Sequence, residues 1–587
     1  MSFVSESNFS ITKVLLIAGL IVLTGCEQSV TPAQKKTSDL LIYCAEGSPV
    51  TLNPQTSTSG TTVDAASATI FNQLIDYIPG TTELRPSLAT NWQISDDGTR
   101  YQFELRQGVK FHSNQYFSPS RELNADDVIF SINRQRQSNH PLHALYGANY
   151  PYFKGQGLGS LIKNIKKIDD YQIEIELTRS ESPFLSILAT PFIPIQSQEY
   201  AEFLINRAQL ELFDKFPIGT GPFQFVAYET DSYIRFKRFD EHFAFVSPIQ
   251  NLVYAITPDP AMRFARFSAG ECDMMRYPLP VHMKLAQQDA AIESIQTPAL
   301  NVAYWAFNTE KEPFNNPKVR QALGLAINRK AIIRSVYDNQ ATLAEGPLGP
   351  NSWAYDQDTV ATQYNPERAK QLLTEAGYDK GFELDIWAMP VQRAYNPNAR
   401  KMAEMIQQDL LEVGVKSNIV SYQWGSFLRR VRLGHHQTVL LGWNADNGDP
   451  NNFLTPLLSC LASKNRSNYA RWCDQNFDSL ILQARQETSL DMRKDYYIKA
   501  QKLFAEAKPW LPIAHTPNNM LVQNNIKGVT LSPLGTMSFE GIYFASDQTN
   551  SEQPKTMIDA NEKAADEGNK ETLQQPNIKP QINKEQG

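Results

Sequence analysis

The sequence predicts an α/β protein built from more than one lobe, and three observations carry that prediction. At 587 residues the chain is longer than one compact core accommodates, so two or three lobes are expected. Strand-like runs such as residues 40–44 and 101–105 are interleaved with runs of helical spacing. Between residues 364 and 453, strand and helix succeed one another in the order that gives parallel strands joined by helical crossovers.

From the N-terminus, residues 1–26 carry one cationic residue before the apolar run, Lys13, then that run over 14–23 and the ending Leu23-Thr24-Gly25-Cys26. The run is too short to span a bilayer and reads as a secretory signal. Small residues before a cysteine resemble the lipobox of bacterial lipoproteins, in which Cys26 would be acylated and become the mature N-terminus. The plainer reading is an ordinary cleaved signal with a chance cysteine. Residues 27–38 are polar, contain Pro32 and a lysine pair, and suit a tether. At the other end, after Phe544, there is no aromatic residue and acids outnumber bases eight to five. Such a segment, residues 546–587, buries too little apolar surface to offset its ordering entropy and is expected to be a disordered tail.

Within the folded body the clearest text begins at Asn365, which caps a helix with Pro366 in its first turn, an apolar stripe of Leu372, Leu373 and Ala376, and a stop at Gly377. A strand over 382–388 follows, then a helix over 397–413 with Ala399, Met402, Ala403, Ile406 and Leu410 on one face. A strand over 418–422, a short helix over 426–433 and a strand over 438–443 complete the succession. In open α/β sheets ligands sit beyond the carboxyl ends of the strands. Two segments occupy that place: MPVQRAY, with Arg393 and Tyr395, and WNADN, with Trp443 and Asp446. A guanidinium and a carboxylate bordering one cleft suit a zwitterion, with the aromatic rings against its body. The bland alternative is that Arg393 and Asp446 pair with each other as surface ions.

Composition narrows the partners. With 42% hydrophobic and 11% aromatic residues the chain can fill large cores. A net charge of −7 and a pI near 5.8 disfavour nucleic acid, whose phosphates require a basic face. Setting Cys26 aside leaves four cysteines, an even number that fits two disulfides in an oxidising compartment. Sequence alone allows three pairings, although Cys460 and Cys473 are close enough to staple a local loop. No CxxC or nearby histidine pattern suggests a metal site. Walker, HExxH and GxSxG motifs are absent, so an enzyme has no candidate nucleophile or nucleotide loop. Asp126-Asp127 reads as acidic charge on a helix N-terminus. Gly219-Thr220-Gly221 lacks the context of a phosphate loop because Pro222 follows at once. His435-His436 reads as a solvated turn whose two side chains point to opposite faces.

Longer stretches are more specific. YCAEGSP (43–49), TSGTT (58–62), RELNADDVIFS (121–131), PIGTGPF (217–223), WAMPVQRAYNPNARKMAEMIQ (387–407), HQTVLLGW (436–443), DNGDPNNF (446–453) and SNYARWC (467–473) resemble the family 5 extracellular solute-binding proteins of bacterial ABC importers, in particular their dipeptide binders. The resemblance runs over about 38–545. It implies a two-lobed periplasmic binding protein fold with two interlobe crossovers: lobe one over 39–298 plus 517–545, an inserted subdomain at about 71–220, and lobe two over 299–516. It also implies the pairings Cys44–Cys272 and Cys460–Cys473. By the same resemblance Arg393 would take the ligand carboxylate and Asp446 its ammonium, with Trp443, Tyr395 and the Thr58-Ser59-Gly60 segment lining the site.

The implied function is capture of dipeptides or short peptides and their delivery to an ABC permease, with no resident cofactor, by a monomer lipid-anchored at the periplasmic face of a bacterial membrane. Glu27 after the acylated cysteine points by analogy to the outer membrane, which sits oddly with an inner-membrane permease, so the leaflet stays open. Where the family's usual residues between the tryptophan and the aspartate are Thr and Gly, this chain has Asn444 and Ala445, and glycine there would allow backbone angles that alanine resists. The anchor and tail are similar to those of haem- or glutathione-binding lipoproteins of the same family, which makes haem or glutathione the alternative cargo. An antimicrobial-peptide uptake protein is a further alternative. A peptide hydrolase would cleave what it binds, and an adhesin would bind no small ligand.

Overall fold

The computed structural model describes residues 39–144, 149–359 and 362–546. The expected signal, Cys26, the tether and the tail from 547 onward lie outside the described residues. No helix among the described residues is long and apolar enough to cross a membrane.

Two large sheets organise the chain. The first has seven strands in the order Ile292–Pro298, Pro517–Gln523, Met274–Arg276, Leu40–Ala45, Asn251–Ile256, Tyr233–Arg238 and Phe223–Glu229. Its centre is parallel, with Leu40–Ala45 running alongside both Asn251–Ile256 and Met274–Arg276. The second has six strands in the order Thr342–Leu343, Trp510–His515, Asn301–Phe307, Thr438–Asn444, Glu383–Ala388 and Lys416–Val420. Asn301–Phe307 is buried along its whole length. Such a strand, covered on both faces, carries a continuous apolar run in place of alternation. The chain passes between the sheets twice, from Pro298 to Asn301 and from His515 to Pro517. The passages are tied together: the Asn301 side-chain amide donates to the Thr516 carbonyl (3.0 Å), and the Thr516 backbone N–H donates back to Asn301 Oδ1 (2.9 Å).

A separate four-stranded antiparallel sheet, Ala89–Ile94, Arg100–Leu105, Gln172–Leu177 and Ile162–Asp169, forms its own apolar core around Phe103, Ile173, Ile175 and Phe184. It is joined to the seven-stranded body by a close backbone approach. A side chain at Gly219 would place its Cβ 1.9 Å from the Ile70 carbonyl oxygen, and Gly221, whose N–H donates to that oxygen (2.9 Å), leaves as little room. These glycines serve backbone contact, and a strand follows them at Phe223.

The 364–453 succession folds as strand, helix and strand in the expected order. The Asn365 side chain accepts from the Arg368 N–H (2.9 Å) and caps the helix Pro366–Glu375. Glu383–Ala388 lies between Lys416–Val420 and Thr438–Asn444 and is parallel to both. Boundaries differ from expectation by one or two residues; the helix expected over 397–413 occupies Ala399–Glu412 behind an Asn398 cap. The strand expected over 418–422 occupies Lys416–Val420, because its register against Glu383 begins two residues after the helix-ending Gly414, and Tyr422 is left free to pack on Trp387 (centroids 5.1 Å). The helix expected from 426 starts at Trp424, capped by the Gln423 side chain.

The pair His435-His436 is only half as expected. His435 is exposed, but His436 is fully buried, with its Nε2 2.8 Å from the Tyr469 carbonyl, and burial pushes its pKa down to about 4. Neighbouring side chains do point to opposite faces; the inner face here is the core beneath Trp387. Asp127 closes a capping box with Asn124, as the helix-terminus reading requires, and pairs with Arg121 (2.6 Å). Both disulfides, Cys44–Cys272 and Cys460–Cys473, are formed.

Candidate functional site

Because Glu383–Ala388 and Thr438–Asn444 are adjacent parallel strands, the segments that leave them emerge at one edge of the six-stranded sheet. The connections after Glu383–Ala388 go first to its neighbour on one side and then over to the other. The carboxyl ends of these strands therefore border a topological switch point, where open α/β sheets place ligands.

From the first strand comes Arg393. Its backbone forms an isolated bridge with Asn396, its guanidinium lies over the Trp424 ring (5.4 Å to the centroid), and Nη1 donates only to the neighbouring Gln392 carbonyl (3.0 Å). Tyr395, two residues on, is buried against Gly442: a Cβ there would lie 2.3 Å from the ring and 2.5 Å from the Val302 carbonyl. Burial pushes the Tyr395 phenol up to about 12, with the positive charge of Arg393 opposing that rise.

From the second strand comes the pair Trp443 and Asp446, both organised by Asn452. The Asn452 side-chain oxygen accepts from Trp443 Nε1 (3.1 Å) and from the Asp446 backbone N–H (2.9 Å), while its amide nitrogen donates weakly to Asp446 Oδ2 (3.4 Å). No cation stands beside Asp446 among the described residues. Burial drives its carboxyl pKa up to about 7, opposed only by the Asn452 hydrogen bond. The surface-pair alternative therefore does not hold, since neither Arg393 nor Asp446 has an ion-pair partner among the described residues. The second aspartate of the loop has a different role. Asp449 is buried and accepts from Arg493 Nη2 (2.6 Å) and the Tyr497 hydroxyl (3.2 Å), which fixes the loop to the helix Leu490–Ala507. Ala445 adopts no left-handed backbone angle. It is buried, with its N–H donating to the Leu300 carbonyl (2.8 Å), so the loop holds an alanine there without strain.

Thr58, Ser59 and Gly60 lie in the other lobe at the start of the short helix Gly60–Ala66. Thr58 and Gly60 are exposed, Ser59 is half-buried with its hydroxyl 2.9 Å from that of Thr61, and the space a Gly60 side chain would enter is empty. Beneath them Asp64 on the same helix is paired with Arg276 (2.8 Å). Burial raises the Asp64 pKa to about 6 against the pull of Arg276. Tyr277, the next residue, takes a left-handed backbone conformation (φ 54°) and feels the charge of Arg393 from the second lobe. The structure thus gathers Arg393 and Tyr395 on one strand end and Trp443 and Asp446 on the next. Thr58–Gly60 are contributed from the other lobe, with no direct hydrogen bond to those four.

A cleft opens beside Asp446, lined among others by Asp76, Arg85, Ala189, Pro191, His242 and Glu540. Sequence reasoning missed Asn452, Asp64, Arg276 and Tyr277. The first had a local signal, six residues after Asp446 within the same loop; the others are assembled by sheet pairing across more than two hundred residues and had none. No group of three or more His, Cys, Asp or Glu able to hold a metal ion occurs among the described residues.

Residues 83–465 match the model of the bacterial extracellular solute-binding proteins, family 5. The chain is 46% identical over 525 residues to the dipeptide-binding protein of Escherichia coli (strain K12), covering 89% of this chain and 98% of that protein. It is 40% identical over 535 residues to heme-binding protein A of Haemophilus influenzae, covering 90% and 98%. Among solved structures it is similar to a dipeptide-binding protein from Pseudoalteromonas sp. SM9913 in complex with Met-Leu, with a TM-score of 0.80, 44% identity, and 86% of this chain and all of that one covered.

Proposed function

Since the chain belongs to family 5 of the bacterial extracellular solute-binding proteins, we propose that it captures dipeptides or short peptides outside the inner membrane and delivers them to the permease of an ABC importer. The observation that carries the reading is the unpaired Arg393 and the unpaired Asp446 at the ends of adjacent parallel strands. A guanidinium and a carboxyl group that have no ion-pair partner among the described residues are what a peptide's carboxylate and ammonium require. Arg393 binds the carboxylate, Asp446 the ammonium, Trp443 and Tyr395 flank the backbone, and Thr58–Gly60 close on it from the other lobe. Peptide-backbone hydrogen bonds and roomy side-chain space make such a site tolerant of sequence. Release follows hinge opening at the two tied passages.

The family relatives are binding proteins, and this chain acts as one, without catalysis and without a cofactor. It works as a monomer held at the membrane by acylated Cys26. Haem as cargo gains little from the geometry, because His436 is committed to the Tyr469 carbonyl inside the core. Calorimetric titration with dialanine, oxidised and reduced glutathione, and haemin tests the reading. Dialanine is expected to bind intact and more tightly than the others. Silence with dialanine beside clear binding of glutathione or haemin overturns it.

A further inference from the structure

The loop that carries Asp446 is held from the other lobe as well as from its own strand. Gly448 sits against Thr82, in the turn between the paired strands Ile75–Tyr77 and Leu84–Pro86; a Cβ on Gly448 would lie 2.8 Å from the Thr82 Cβ. Tyr152, in the short helix Pro151–Gly155, belongs to the apolar core of the four-stranded unit, is 5% exposed, and is stacked on Phe192 with 4.5 Å between ring centroids. Its hydroxyl reaches the same loop, beside the side chains of Asn447 and Thr190 and within the field of Asp446. Yet it is buried with no partner in hydrogen-bonding geometry among the described residues. Both neighbours are already engaged: Thr190 Oγ1 donates to the Ile187 carbonyl (2.8 Å), and Asn447 Oδ1 accepts from the Asp449 N–H (3.0 Å). A buried hydroxyl without an acceptor is costly. The acceptor at hand is the Asp446 carboxyl group, which is strong only when ionised. Burial and then the charge of Asp446 hold the Tyr152 phenol well above its ordinary pKa, so it meets that carboxylate as an O–H donor. The other charged groups around the loop are committed elsewhere. Asp449 is paired with Arg493 (2.6 Å), Arg85 in the cleft wall with Asp76 (2.9 Å) and Glu540 (2.7 Å), and burial pushes the pKa of His242 in that wall down to about 4, which leaves it neutral near pH 7.

Resting on the peptide-capture reading, we propose that Tyr152 is a positioning residue for ammonium recognition: when a peptide ammonium holds Asp446 ionised, the Tyr152 O–H donates to that carboxylate across the lobe boundary. The proton lost from Asp446 goes to solvent, and the phenol keeps its own. Closure of the four-stranded unit on the Asp446 loop is thereby coupled to a free amino terminus. A ligand without an ammonium leaves Asp446 protonated and gains nothing from the phenol, so Tyr152 sharpens the choice of free over blocked peptides without touching them.

The test is calorimetric titration of the purified full chain, Tyr152→Phe, Asp446→Asn and the double variant with dialanine and N-acetyl-dialanine. Phenylalanine keeps the stack on Phe192, and removal of a hydroxyl that has no partner is expected to leave the melting temperature of the ligand-free protein unchanged. At pH 8, Tyr152→Phe is expected to weaken dialanine about tenfold, to leave N-acetyl-dialanine unchanged, and to have little further effect in the Asp446→Asn background. Without the phenol, Asp446 in the complex ionises less readily, so the fall of dialanine affinity below pH 7 is expected to level off about one pH unit higher than in the parent. Equal weakening of both ligands by Tyr152→Phe, the same weakening in the Asp446→Asn background, or no weakening at all overturns the role of Tyr152 and leaves peptide capture standing. Dialanine binding that Asp446→Asn does not weaken overturns the ammonium site and the role of Tyr152 with it, and failure of the parent to bind dialanine overturns peptide capture itself.

Discussion

Asp446 is the most exposed to test of the individual residues, because its environment makes its charge costly. With a folded pKa of about 7, above the ordinary carboxylate value, the ligand-free protein becomes less stable as pH rises from the ordinary carboxylate range to about 7, and the cost is then complete. A peptide ammonium favours the ionised form, so binding near pH 7 releases part of a proton from Asp446. Dialanine affinity is therefore expected to fall as pH drops below 7, by up to about tenfold per unit. Titrations in buffers of different ionisation enthalpy should detect the proton, and Asp446→Asn should remove it. Arg393→Ala and Asp446→Ala are each expected to weaken dialanine by about 2–5 kcal/mol, since each leaves one ligand charge without a partner. Calorimetry of the two variants reads this directly.

At the scale of elements, the strand ends do the positioning. Gly442→Ala places a methyl group against the Tyr395 ring and the Val302 carbonyl. Overpacking of that kind costs about 1–3 kcal/mol, and because Tyr395 follows Arg393 on the same loop, dialanine affinity should fall along with the melting temperature. Replacing Cys460 and Cys473 by serine opens a loop with a sequence separation of 13 and should cost about 3 kcal/mol in denaturant unfolding, with binding retained. These elements were legible because their signals are local: a cap and proline at Asn365-Pro366, apolar spacing through Leu410, and glycine stops at Gly377 and Gly414. The placement of Arg393 and Asp446 at one sheet edge followed from that order alone. His436 was misplaced because two adjacent histidines look polar in a sequence, whereas the strand beginning at Thr438 turns one of them into the core. The Asp64–Arg276 pair and Tyr277 were not legible, since 212 residues separate the partners and only the parallel pairing of Leu40–Ala45 with Met274–Arg276 brings them together.

On the scale of the whole molecule, the lobes meet away from the two tied passages. Glu181, fully buried near the four-stranded unit, accepts from Arg485 of the opposite lobe at 2.7 and 3.0 Å. The Ser182 N–H donates to the Arg485 carbonyl (2.7 Å), and Lys284 pairs with Asp338 across the lobes (2.7 Å). These contacts exist only when the lobes are together, so they bias the equilibrium toward closure. Arg485→Ala should favour the open form, lower dialanine affinity by about tenfold without touching the ligand, and raise the radius of gyration in small-angle scattering. The central claim is that opposite charges on two strand ends clamp a zwitterion, and a thermodynamic cycle addresses it most directly. Dialanine and N-acetyl-dialanine would be titrated into the parent and into Asp446→Asn. The account predicts that acetylation weakens binding to the parent by about 2 kcal/mol or more and has little further effect in the variant. The same loss from acetylation in both proteins would contradict it, since the ammonium would then be bound somewhere other than Asp446.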